Sequence, residues 1–326
     1  MHSQEPRPTI LVPGTTSQTL APRAGHSHDG TLRYLKAGRG APLVLLHTVR
    51  TQAEHFRRLI PLIADQYTVY ALDLSGMGYS EIVPGASYDE PALRVGVKRL
   101  LTELDLHDVT LVGESMGAVL ALTTAADLPQ RVRRVVAVNP YDFRGGIARS
   151  GLLARVVVSG VLAPVVGPVI AGVEPRPALS KILRGGLGDK SALREDYVDE
   201  LLQVGARPGY PIVARGVYRN LPSLIAARAR YPEVKAPIHL VYGEKDWSRP
   251  SDRAADKRLL PAADFTQVPE AGHFISLERP DVLADLLNAA HTADPADPRT
   301  RRRDRPASGA TGCQGCRCPT ARGLRR

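Results

Sequence analysis

Three side chains far apart in the chain have the types that turn an alcohol into an attacking group. Ser115 lies in Gly113-Glu114-Ser115-Met116-Gly117, Asp246 in Tyr242-Gly243-Glu244-Lys245-Asp246-Trp247, and His273 in Pro269-Glu270-Ala271-Gly272-His273-Phe274. A serine hydroxyl is not nucleophilic at neutral pH. It needs a base, and the base needs an acid to orient it. Ser115 is the candidate nucleophile, His273 the candidate base and Asp246 the candidate acid. Glu244, two residues from Asp246, is a competing carboxylate. The chemistry needs no metal and no organic cofactor.

These residues must be positioned by rigid elements. Val109–Val112 is an apolar run of strand type, and Met116–Ala126 is a run of small and apolar residues of helix type. Ser115 falls between them. A strand-to-helix reversal that tight strains the serine backbone and leaves no room for side chains two residues either side, where Gly113 and Gly117 stand. The free N–H of Met116, at the helix start, is a donor for an oxyanion. Ile238–Tyr242 and Phe265–Val268 read as strands, so Asp246 and His273 also follow strand ends. Ligands of open α/β sheets bind at that edge.

The rest of the chain alternates in the same way. Thr31–Lys36, Pro42–Leu46, Tyr67–Leu72 and Val135–Val138 read as strands. Thr51–Ile63, Tyr88–Leu104 (with Ser87 as its N-cap) and Pro280–Ala290 read as helices. Such alternation predicts an α/β fold with a mostly parallel sheet covered on both faces. Residues 1–28 read as an irregular arm with at most one edge strand. Between about Phe143 and Pro232 no strand is evident. Gly146–Ser159, Lys190–Val204 and Pro211–Tyr231 read as helices there, which predicts a helical insertion over residues 143–232, between core segments 29–142 and 233–292. Within it Val156–Val173 carries no charge over 18 residues. That length touches the lower limit for a membrane span. Pro164, Pro168 and three glycines break it, so the expectation is an apolar wall with weak contact to a membrane surface.

Composition bounds the function. The chain has 326 residues, 43% hydrophobic and 23% charged, which excludes a disordered or multispan membrane protein. The net charge is +10. Residues 293–326 hold nine Arg and three Asp and so carry +6 of it. The body is only mildly basic, and no nucleic-acid partner is expected. Cys313, Cys316 and Cys318 all lie in that tail, which is low-complexity and reads as disordered. Three thiols are one short of a structural zinc set. The start, MHSQEPRPTI, shows no basic segment followed by an apolar one. The expected location is the cytoplasm.

The chain resembles the α/β-hydrolase superfamily, in its capped serine-hydrolase branch. The resemblance runs from about Gly30 to Ala290. It rests on Leu45-Leu46-His47, on Ala71-Leu72-Asp73-Leu74-Ser75-Gly76-Met77-Gly78-Tyr79-Ser80, on the segment around Ser115, on Gly243-Glu244-Lys245-Asp246 and on Gly272-His273. It implies the α/β-hydrolase fold with a helical cap inserted after the sixth strand. It implies Ser115, His273 and Asp246 as a triad. Asp142 competes with Asp246, because some members place the acid after the preceding strand. The oxyanion hole would use Met116 N–H and a second N–H just after His47. Members usually have His-Gly there; here the segment is His47-Thr48-Val49-Arg50, and the second donor is Thr48 or Val49. Arg50 is placed to favour an anionic substrate, Trp247 to line the pocket or simply to pack, and His47 to bind substrate or to support the oxyanion loop from beneath. Asp73 is expected to fix the turn after it. The implied activity is cleavage of a carboxylic ester with a sizeable apolar part through an acyl-enzyme. Carbon–carbon bond hydrolysis, cofactor-free perhydrolase or haloperoxidase chemistry, and ligand binding on a hydrolase scaffold are the alternatives.

Overall fold

The computed structural model describes residues 8–26 and 29–292. The tail with its three cysteines and its Arg run therefore lies outside the described residues. In chain order the strands are β1 Thr15–Leu20, β2 Leu32–Gly38, β3 Ala41–Leu46, β4 Tyr67–Leu72, β5 Val109–Glu114, β6 Val132–Val138, β7 Ile238–Gly243 and β8 Asp264–Val268. They form one sheet in the order β1-β2-β4-β3-β5-β6-β7-β8. β2 pairs antiparallel with β1 and β4, and every other pairing is parallel.

The apolar runs are strands because each buries both faces. Leu46, Leu111 and Val135 join the cluster on one side of the sheet. Leu45, Val112 and Val136, their neighbours in sequence, join the cluster on the other. Side chains alternate across a strand, so a sheet covered twice has no polar period. The chain steps from β3 out to β4, then crosses back so that β5 lies on the opposite side of β3. That reversal opens a crevice at the carboxyl ends of β3 and β5. The His47–Arg50 loop and Ser115 follow those two ends.

Helices flank the sheet: α1 Ile60–Ile63, α2 Glu90–Glu103 and α3 Met116–Asp127 precede β6. Between β6 and β7 stand α4 Leu152–Leu162, α5 Gly167–Gly172, α6 Arg176–Arg184, α7 Glu195–Gly205 and α8 Tyr210–Ala227. Then come α9 Pro250–Leu259, α10 Ile275–Glu278 and α11 Pro280–Thr292.

Two local expectations are corrected. The helix expected over Thr51–Ile63 is a 3-10 turn, Ala53–Phe56, and the short α1. Pro61 lacks an N–H and would clash with the carbonyl four residues back, so it tolerates only a first turn. The cap of α2 is Asp89, which accepts from Ala92 N at 3.0 Å, and not Ser87. Pro91 fits one residue inside that start. Val156–Val173 is split between α4 and α5 by the bend at Ala163–Val166, and among the described residues no helix is long and apolar enough to cross a membrane. Helix α6 falls where the sequence pattern predicts no helix.

Candidate active site

β5 ends at Glu114 and α3 begins at Met116, leaving Ser115 alone to make the reversal. Its backbone is at φ 59, ψ −114, a region that costs a non-glycine residue on the order of 1–3 kcal/mol. The strain is held by neighbours: Ser115 N–H donates to Val138 O at 2.8 Å, and Tyr141 N–H donates to Ser115 O at 3.2 Å. A Cβ on Gly113 would stand 2.0 Å from Gly117 O, and one on Gly117 would stand 2.0 Å from Leu46 O. Only glycine fits at either position.

The three candidate residues come together. His273 Nε2 lies 2.9 Å from Ser115 Oγ, and His273 Nδ1 lies 2.5 Å from Asp246 Oδ1. Asp246 Oδ2 accepts from Ser248 N–H at 2.9 Å. Ser115 and His273 are fully enclosed and Asp246 nearly so. Burial works against the Asp246 charge, but the facing imidazole and the bonds from Ser248 outweigh it and hold the carboxyl below its ordinary range. An ionised carboxylate on Nδ1 keeps the proton there and leaves Nε2 as the acceptor for the serine proton.

The competing acids point elsewhere. Glu244 is exposed and accepts from Glu270 N–H. Asp142 accepts from Tyr231 Oη at 2.8 Å. Burial, and then the neighbouring Asp256, push Asp142 well above the usual carboxylate range, so it favours its neutral form.

In the loop after β3 the left-handed backbone falls on Arg50, at φ 63. Thr48 O is tied down by His47 Nδ1 at 2.8 Å and by Thr51 Oγ1 at 3.0 Å. In a planar trans peptide the next N–H points the opposite way. Val49 N–H is thus directed away from that knot. His47 Nε2 in turn accepts from Leu74 N–H at 3.0 Å. Both ring nitrogens of His47 are spent on backbone, and the residue is fully buried beneath the loop, away from the cavity lining. Burial lowers its pKa to about 4, which keeps it neutral. Asp73 fixes its turn, accepting from Ala53 N–H at 2.7 Å and Tyr79 N–H at 2.9 Å.

Arg50 reaches a cavity of about 120 Å³ whose walls include Val49, Val161, Ile170, Trp247 and Phe274. Its guanidinium is already matched. It is paired with Glu174, donates to Leu201 O at 3.1 Å, and lies 4.9 Å from the Tyr210 ring centroid. The expectation that Arg50 selects an anion is therefore corrected: its charge is neutralised by a carboxylate in the same wall. Trp247 stacks on the His273 imidazole, with centroids 3.9 Å apart and planes inclined by 16°. Neither this cavity nor a larger hollow of about 730 Å³, bordered by Ser150, Leu152 and Arg184, is lined by Ser115, Asp246 or His273; the smaller one adjoins them through Trp247, which it shares with the stack on His273.

Two residues that sequence reasoning passed over hold the site together. Asn139, just after β6, accepts from Gly243 N–H at 2.9 Å and donates to Gly272 O at 3.1 Å and His273 O at 3.0 Å. It joins the strand before Asp246 to the loop of His273. Glu114, beside Ser115, is fully buried, accepts from Ser276 N–H at 3.1 Å and pairs with His55. His55 Nδ1 lies 3.1 Å from Tyr197 Oη on α7. An ionisable residue inside an otherwise apolar strand end was the available signal.

Comparison with known proteins places this geometry. A family model described as the Alpha/beta hydrolase family matches residues 43–286. The uncharacterized hydrolase YugF of Bacillus subtilis is 27% identical over 264 residues, covering 77% of this chain and 88% of that protein. The sn-1-specific diacylglycerol lipase ABHD11 of Mus musculus is 24% identical over 253 residues, covering 76% and 80%. The crystal structure of haloalkane dehalogenase DbeA from Bradyrhizobium elkani superposes with a TM-score of 0.73 at 21% identity, covering 86% of this chain and 98% of that one. The sheet order, the strained serine turn and the matched span lead to one conclusion: this chain belongs to the alpha/beta hydrolase family.

Proposed function

We propose that the chain is a serine hydrolase that cleaves a carboxylic ester with an apolar part through an acyl-enzyme. The carrying observation is the unbroken relay from Asp246 through His273 to Ser115. His273 Nε2 takes the Ser115 proton as Oγ attacks the ester carbonyl. The tetrahedral oxyanion is met by Met116 N–H, which as the first residue of α3 has no partner within the helix, and by Val49 N–H. His273 then returns the proton to the leaving alcohol. Water, deprotonated by the same ring, releases the acid and frees Ser115.

The likeness to a haloalkane dehalogenase does not carry that protein's reaction over. Displacement at a saturated carbon by Ser115 would leave an ether, which water cannot cleave by carbonyl addition. Attack at an acyl carbon leaves an ester, which it can. The lipase relative is consistent with acyl chemistry. The cavity walls supply the preference for an apolar group, and its volume is on the order of four water molecules. A short acyl or alkyl group matches that volume.

Ser115→Ala tests the mechanism. Its turnover of short p-nitrophenyl esters should fall by about 10⁴-fold or more. Folded Ser115→Ala protein with wild-type turnover overturns the proposal. Running diketone probes beside the esters separates ester from carbon–carbon hydrolysis.

A further inference from the structure

Among the described residues eleven large apolar side chains are exposed, and eight of them belong to the insertion: Leu152, Val156, Leu162, Val165, Val166, Val169, Val173 and Ile212. The elements that carry them, α4, α5 and the start of α8, pack on one another. Leu152, Arg155, Val156 and Ser159 share one helical face of α4, and all are exposed. The opposite face supplies Val157 and Val161 to the cavity wall, as α5 supplies Ile170 and Ala171. These helices are apolar on both sides, a pattern that belongs to helices covered on both sides.

Charge identifies the cover. From residue 143 to residue 173 the chain has no Asp or Glu and three Arg: Arg144, Arg149 and Arg155. Arg144 and Arg155 are exposed, whereas Arg149 is paired with Asp252. Arg219 is exposed on α8. The next acid along the chain, Glu174, is paired with Arg50. A second copy meeting this face by two-fold symmetry would set arginines against arginines. A bilayer with anionic headgroups accepts the valines and leucines at its acyl boundary and the arginines at its phosphates.

We propose that the outer face of α4 and α5 docks on an anionic phospholipid bilayer, one helix thickness from the cavity. The inference stands independently of the ester reading. Where that reading holds, it places the cavity beside a source of apolar esters.

The test uses the full chain and vesicles of phosphatidylcholine with about a third phosphatidylglycerol. Flotation is run in roughly 0.5 M NaCl, which screens the basic tail. Hydrogen exchange is followed over residues 152–173. Vesicles should protect that segment, and V165D/V169D, whose positions do not line the cavity, should lower partition by about tenfold or more. An unchanged thermal midpoint shows that the variant is folded. A second, milder variant, Val156→Ser, should lower partition less. Three results overturn the proposal: no protection of 152–173 by vesicles, equal partition of the folded variant and wild type, or protection that grows with protein concentration alone while the mass doubles. No readout depends on turnover, so loss of the ester reading leaves this result intact.

Discussion

At the residue scale the candidate site is a chain of two hydrogen bonds, Asp246 to His273 to Ser115, which serves the proposed reaction as a proton relay with its polarity set by charge. Asp246 is ionised, so His273 can accept at Nε2. Asp246→Asn keeps the shape but loses the charge, and it should lower kcat for ester turnover by about 10³–10⁴-fold with little change in KM. Asp142→Asn should leave kcat within about threefold, because Asp142 faces Tyr231 and not His273. Comparing the two variants assigns the acid. His47 gives a pH dependence of stability. It is neutral when folded, with a pKa of about 4 against an ordinary value near 6.5. Between those limits the unfolded chain binds the extra proton. His47 therefore stabilises fully above pH 6.5 and loses on the order of 3 kcal/mol as pH falls to about 4. Urea unfolding of wild type and His47→Gln across that range should show the acid slope reduced in the variant. Ser115, Asp246 and His273 were legible because each follows a strand end. Support of the loop from beneath by His47 was one of the readings the sequence offered, and its bonds to Thr48 and Leu74 match it, whereas the pairing of Arg50 was not legible, since Glu174 comes from a distant part of the chain.

At the element scale the relay depends on three strand ends kept in register. Asn139 bridges the end of β7 to the His273 loop, and Glu114 bridges the end of β5 to Ser276. Glu114→Gln keeps one acceptor but weakens the pair with His55. It should lower kcat about tenfold with KM unchanged, and Glu114→Asp should restore part of that loss. A change in KM alone would show that Glu114 shapes the cavity instead. The strands were legible in sequence because burial on both faces writes them as continuous apolar runs. The 51–63 helix and the Ser87 cap were misread for local reasons. Pro61 divides the first, and for the second Asp89 stands nearer the helix start with its carboxylate on Ala92 N–H. Periodicity in an amphipathic stretch does not reveal such breaks.

At the scale of the whole molecule, the sheet is a rigid platform and the chain between β6 and β7 lies against its site. Gly186 O accepts from His273 N–H at 2.6 Å, and Gly185 O from Trp247 Nε1 at 3.3 Å. The end of α6 is thereby fastened to the loop that carries His273. A Cβ on Gly186 would come 2.5 Å from the Phe274 ring and 2.9 Å from Trp247. Gly186→Ala should therefore disturb the Trp247–His273 stack, lowering ester turnover about tenfold and shifting the emission of the single tryptophan. The position of the insertion was legible as a long gap between strands. Its internal layout was not: helices that wall a cavity on one side and expose apolar residues on the other have no clean polar face to read.

The central claim is that Ser115 is an activated nucleophile, and covalent labelling tests it most directly. The full chain would be treated with a fluorophosphonate and the modified peptide sequenced by mass spectrometry. One adduct on the Ser115 oxygen is predicted, formed far more slowly in Asp246→Asn and absent in Ser115→Ala. No adduct on folded wild-type protein, or one carried by a different residue, would contradict the account.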